Sequence, residues 1–125
     1  MLRTFMLGKV HGAIVTRANR GYSGSLTLDG SLMDRAGMLP LERVQVLNLD
    51  TGARVETYLI RGRAGSGTVG VNGAAAHHFK PGQRVLVVAF ASLSDAERKQ
   101  ARARVLILDG TRRNRVRRTR VLRLG

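Results

Sequence analysis

The chain has 125 residues, enough for one domain that buries a modest core without covalent staples. It contains no cysteine, which excludes disulfides, thiolate metal sites and cysteine nucleophiles and fits an intracellular setting. The formal net charge is +14, from 19 Arg and three Lys against eight acids, a balance that invites a nucleic-acid reading.

The start, M-L-R-T-F-M-L-G-K-V-H-G, has only a short apolar patch before Gly8 and Lys9. The near-alternation of G-K-V-H-G-A-I-V-T-R-A, residues 8–18, predicts a strand. On it Lys9, His11, Ala13 and Val15 share one face, and Val10, Ile14 and Thr16 the other. G-Y-S-G-S at 21–25 is a turn, followed by a short strand, L-T-L-D, at 26–29. S-L-M-D-R-A-G at 31–37 predicts a short helix, with Ser31 and Asp34 as a capping pair and Gly37 as its stop. V-Q-V-L-N-L at 44–49 and A-R-V-E-T-Y-L-I at 53–60 predict two strands joined at Asp50-Thr51-Gly52. In the second, Arg54, Glu56, Tyr58 and Ile60 face one way, and Val55, Thr57 and Leu59 the other.

R-A-G-S-G at 63–67 is a loop, T-V-G-V at 68–71 a strand, and N-G-A-A-A-H-H at 72–78 a small-residue segment. A turn at Lys80-Pro81-Gly82-Gln83 precedes V-L-V-V-A-F-A at 85–91. That run is well short of the ~20 residues of a membrane helix, so a soluble, cytoplasmic protein with no membrane partner is expected. Ser94 and Glu97 form a capping box for a helix over about 95–104. V-L-I-L at 105–108 is the last predicted strand. Residues 111–125 carry seven Arg and no acid, half of the net charge, and read as a basic, flexible tail. Short strands, glycine turns and two small helices predict a mainly β fold, a small barrel over 1–110.

Taken one at a time, the chemical candidates are weak. A Gly-Ser pair such as Gly24-Ser25 most often just turns the chain. S-G-S-L lacks the spacing of a nucleophile elbow. His77 and His78 are adjacent and have no carboxylate spaced to join them, so no metal site is expected. Lys9 with His11 reads equally as an exposed edge, and Arg54 with Tyr58 as a surface pair.

The ordered set G-K-V-H at 8–11, Y-S-G-S at 22–25, G-A-R-V-E-T-Y at 52–58 and N-G-A-A-A at 72–76 resembles the pyruvoyl-dependent aspartate decarboxylase family over about residues 1–95. The resemblance implies a six-stranded double-psi β-barrel, assembled as a homotetramer with active sites between subunits. It implies a zymogen whose autocatalytic cleavage at Gly24-Ser25 turns Ser25 into a covalent pyruvoyl group, the cofactor, with neither pyridoxal phosphate nor metal. Cleavage that is spontaneous and cleavage aided by a maturation factor are both compatible with it. The reaction implied is that of a lyase: decarboxylation of L-aspartate to β-alanine and CO2, for pantothenate and coenzyme A biosynthesis.

By the same resemblance, Ser25 forms the Schiff base, Thr57 stabilises the oxyanion of processing and Tyr58 is the proton donor. Lys9 and Arg54 hold substrate carboxylates, in an order left open. Asn72, Gly73, Ala74 and Ala75 form the substrate-binding loop, and His11 and Tyr22 line the site or assist processing. The chain departs from the family pattern at Asn19-Arg20, in the 62–65 loop and at Gln83-Arg84, where acids are missing. The rival reading is a non-enzymatic basic β-barrel that binds nucleic acid. The charge favours it; an aromatic content of 4% disfavours it, because no stacking surface is on offer. Nucleic acid is therefore not an expected partner.

Overall fold

The computed structural model describes residues 1–21 and 23–125. Tyr22 lies outside the described residues. The fold is mainly β. Nine strands form one curled sheet: β1 (Arg3–Ile14), β2 (Arg17–Asn19), β3 (Ser25–Asp29), β4 (Arg43–Asn48), β5 (Arg54–Gly62), β6 (Val69–Asn72), β7 (Arg84–Leu93), β8 (Arg102–Leu108) and β9 (Val116–Arg123). Their order is β2-β6-β3-β5-β4-β7-β1-β8-β9, barrel-like but with two free ends. The expected count of six strands is thus exceeded among the described residues. The pairs β1–β8, β2–β6 and β3–β5 are parallel and the others antiparallel. A parallel pair cannot close through a hairpin, so crossovers interleave the strands.

The core follows the alternation of the strands. Val10, Leu26, Leu28, Val44, Val46, Leu59, Val69, Val71, Val85, Val87 and Leu106 are all sealed from solvent, with Met33 and Met38 filling one end. The alternation expected for residues 8–18 fails midway. Lys9 and His11 are half-buried on the outer side of β1, yet Ala13 and Val15 are wholly buried. The register slips between His11 and Ala13, where Gly12 takes a φ of +81°. A bulge built on a left-handed glycine flips the facing of every residue after it.

The helix α1 spans Gly30–Ala36 and stops at Gly37, as expected, but its cap is not Ser31 with Asp34. Asp29 caps it, accepting from the Ser31 N–H at 2.8 Å. The same buried carboxylate accepts from Gly65 and Gly67 N–H, both at 2.9 Å, so it also pins the 63–67 loop. Burial alone would raise its pKa; the hydrogen bonds outweigh that and hold it below the usual carboxylate range. The helix α2 keeps its Ser94–Glu97 capping box but covers only Asp95–Gln100, because Arg102 already starts β8.

Residues 111–125 are not a loose appendage. Val116–Arg123 form β9 along β8, and Asn114 is buried. Asn114 Oδ1 accepts from the Ile14 N–H at 2.7 Å, and its Nδ2 donates to the carbonyls of Ile14 and Gly67. A buried amide with three backbone partners ties this segment to the barrel wall.

Candidate active site

Ser25 opens β3 and is only 5% exposed. It stands opposite Asn72, the last residue of β6, in antiparallel register. Asn72 Nδ2 donates to Ser25 Oγ at 3.0 Å and to Thr27 Oγ1 at 3.1 Å. Ser25 Oγ in turn donates to the Ser23 carbonyl at 3.4 Å, a long bond. Asn72 Oδ1 is buried and has no partner among the described residues. An orphaned buried acceptor costs about 1–3 kcal/mol, so this amide is held in place at the expense of stability.

Gly24 is exposed, and a Cβ there would meet no described atom within 4 Å. Its φ is not left-handed. Crowding around its α-carbon therefore does not account for the glycine. Gly24 is thus an exposed residue directly before a buried hydroxyl-bearing one.

The strand β5 runs parallel to β3, pairing Leu26 with Leu59. Both leucines are fully buried, so the residue before each, Ser25 and Tyr58, projects from the outer face. That register sets Tyr58 beside Ser25, one strand spacing or about 4.8 Å away in backbone terms. Tyr58 is 36% exposed, which leaves its ring available at an open face. Thr57 turns the other way, half-buried opposite Val44.

The cations lie elsewhere in the chain. Lys9 and His11 sit on β1, separated from β3 in the sheet order by β5, β4 and β7. Arg54 shares the outer face of β5 with Tyr58 but is about 13 Å further along the strand, where its Nη1 donates to Gln45 Oε1 at 3.1 Å. Burial first, then the charges of Lys9 and Arg84, hold the His11 imidazole below the ordinary histidine range.

The N-G-A-A-A segment becomes a 3-10 helix over Gly73–His78, starting immediately after Asn72. Gly73 takes a φ of +73°, which side chains resist, so the chain turns at that point directly beyond Ser25's partner. No side chain caps this turn, and its i→i+3 bonding leaves the N–H groups of Gly73 and Ala74 without an intrahelical partner. His77 and His78 are both exposed. Among the described residues no three His, Cys, Asp or Glu side chains converge as a metal group would need.

Pairing within one chain brings together Ser25, Gly24, Asn72, Gly73 and Tyr58, with Thr57 next to Tyr58 on the opposite face; Lys9 and His11 stand on β1, with β5, β4 and β7 between it and β3 in the sheet order. Thr27 was missing from the candidates. Period two along S-L-T on β3 is the signal that carries it: two residues from Ser25, on the same face, it binds the same amide.

The comparisons with known proteins agree with one another. A family model described as aspartate decarboxylase matches residues 1–116. The chain is 47% identical over 109 residues to the aspartate 1-decarboxylase of Bacillus velezensis, covering 87% of this chain and 86% of that protein. Over the same shares it is 50% identical to the enzyme of that name from Exiguobacterium sibiricum and 46% to that of Bacillus subtilis.

Proposed function

The chain belongs to the aspartate decarboxylase family, and on that premise we propose that it converts L-aspartate to β-alanine and CO2, supplying pantothenate and coenzyme A synthesis, after cutting itself between Gly24 and Ser25. The observation that carries the reading is the buried Ser25 hydroxyl, held by Asn72 directly after an exposed glycine.

In processing, Ser25 Oγ attacks the Gly24 carbonyl carbon. The C–N bond breaks, an ester replaces the amide, and the amine of residue 25 is freed. Thr57 is the donor to the oxyanion that forms on the way. Elimination then releases the Gly24 carboxylate and leaves dehydroalanine, and water hydrolyses that group to a ketone and ammonia.

A pyruvoyl group at position 25 fits these residues. Asn72 Nδ2 already donates to the oxygen on that side chain, and Asn72 Oδ1 remains as a free buried acceptor for a substrate N–H. When formed, the group supplies an electron sink for the pair released as CO2 leaves, the work done elsewhere by pyridoxal phosphate. Tyr58, on the same face beside residue 25, returns a proton to the carbon that lost CO2. The backbone of Gly73, Ala74 and Ala75 forms the substrate-binding loop beside Asn72.

Lys9 and Arg54 bind the carboxylates of aspartate, a guanidinium in bidentate fashion. Their placement away from Ser25 along the sheet supports a homotetramer in which a neighbour contributes them. By the family pattern, His11 and Tyr22 line the site or assist processing. No helix among the described residues is long and apolar enough to cross a membrane; we place the enzyme in the cytoplasm.

The test is intact mass followed by an assay. Protein incubated alone should resolve into residues 1–24 and 25–125, the second bearing the mass of a pyruvoyl terminus, and should then release β-alanine from L-aspartate. Cleavage only after addition of cell extract would point to a maturation factor. Ser25→Ala should stay one chain and be inactive. Cleavage of Ser25→Ala at the same bond would sink the mechanism.

A further inference from the structure

We propose that β8 and β9 form a docking surface for a nucleic-acid duplex, gripped through its phosphates without regard to base sequence. Three observations carry this, and none depends on the decarboxylase reading.

The first is that the basic segment is built rather than loose. Asn114 anchors it through three buried hydrogen bonds, and β9 pairs with β8 from Arg102↔Arg123 to Leu108↔Val116. The guanidinium stems are therefore fixed at strand spacing along a free sheet edge, and less ordering entropy is lost on binding.

The second is uncompensated charge. Arg102 and Arg123 are directly opposed, an arrangement that repels. Arg104 lies on the same face, near Gly37, and Arg35 reaches in from α1 to donate to Thr119 at 3.2 Å. Arg118 and Arg120 extend from the other face, opposite Ile107 and Val105. None of these six is ion-paired among the described residues. Carboxylates on α1, α2 and just after β8 are already engaged: Asp34 with Arg61, Asp95 with Arg98 and Lys99, and Asp109 with Thr111. An exposed array that costs the fold repulsion gains most from a polyanion.

The third observation selects among polyanions. The exposed apolar residues of β9, Val121 and Leu122, are consecutive and so point to opposite faces. Neither face has the apolar centre that a protein partner or an inserted membrane surface would use. No aromatic residue lies on β8 or β9, so nothing stacks the bases of a single strand. What remains is guanidinium to phosphate, often bidentate, on a regular duplex backbone. The match to the family model ends at residue 116, the first residue of β9, so this strand extends the shared fold.

The probe is a fluorescent 20-base-pair DNA duplex titrated with the processed, assembled protein. About six phosphate contacts predict an affinity loss of about a thousandfold between about 50 and 200 mM salt. A scrambled duplex should bind within a fewfold. Arg102→Gln/Arg118→Gln/Arg120→Gln/Arg123→Gln should lose at least tenfold at low salt and keep β-alanine production. If that variant fails to assemble, Arg118→Gln/Arg120→Gln is the substitute, with a smaller loss and a shallower salt slope. Equal binding by wild type and an assembled variant overturns the proposal. So does binding to phosphatidylserine vesicles or to polyglutamate but not to the duplex.

Discussion

Two polar clusters lie on the outer faces of one sheet and are built on opposite principles. Around Ser25 the groups are neutral, buried and bound to one another: one asparagine amide serves two hydroxyls, and a single oxygen is left over. Around Lys9 the groups are half-exposed and repel. Lys9, His11 and Arg84 crowd β1 and β7 with no carboxylate ion-paired to them among the described residues. The first arrangement is rigid before any substrate arrives, which suits a nucleophile that must attack its own backbone. The second has an unmet need for negative charge, which suits a surface awaiting a dicarboxylate. On the proposed reading each is half of a site, and β5, β4 and β7 lie between them in the sheet order.

The largest effect should come from joining halves across chains. Lys9→Gln, processed normally, should fall at least tenfold in aspartate turnover, since a hydrogen bond to a charged group contributes about 1.5–3 kcal/mol. Ser25→Ala should be dead. Co-expressed, the two should regain about a quarter of wild-type activity if random assembly pairs each half independently across a head-to-tail interface. Activity no higher than the sum of the separate variants would place both halves in one chain.

Next in size is the split along β5. Tyr58→Phe should cleave normally yet lose about 10²–10⁴-fold in turnover, the usual range for a positioned proton donor. Thr57→Val, facing the other way, should block cleavage instead. Mass spectrometry reads one outcome and β-alanine release the other; the same defect in both variants would erase the distinction between the faces.

Thr27→Val tests how rigid the neutral cluster is. Losing one hydrogen bond to Asn72 is worth about 1 kcal/mol, so processing should slow about fivefold. Thr27→Ser should restore the rate, and rescue by a hydroxyl is what a mere packing role would not give.

The smallest effect is the pH response of the charged cluster. His11 is held below its unfolded pKa, so in the window between the two values the unfolded chain binds more protons. Stability is then whole above the unfolded value, about 6.5, and falls as pH drops through the window. Melting temperatures from about pH 8 to pH 5 should decline less steeply in His11→Gln than in wild type. Parallel curves would mean that neither burial nor the charges of Lys9 and Arg84 hold His11 below its unfolded value.

Much of the site was legible because its motifs are local. G-K-V-H, Y-S-G-S, R-V-E-T-Y and N-G-A-A-A each sit on one strand or turn, and alternation alone set Thr57 and Tyr58 on opposite faces. The chain by itself determined a mainly β fold, the family, the Gly37 stop and the Ser94–Glu97 cap, since each rests on contacts within a few residues. Only the tertiary structure decided the rest. The bulge at Gly12 reversed the facing of Ala13 and Val15, and no periodicity signals a register slip in advance. Asp29 displaced Ser31 as the cap of α1 because the same carboxylate also satisfies Gly65 and Gly67, residues distant in sequence. The basic segment became β9 because Asn114 finds partners a hundred residues away at Ile14, and a run of arginines carries no local sign of a strand partner. Period and capping are short-range properties; register, shared hydrogen-bond acceptors and edge pairing depend on which distant segments meet.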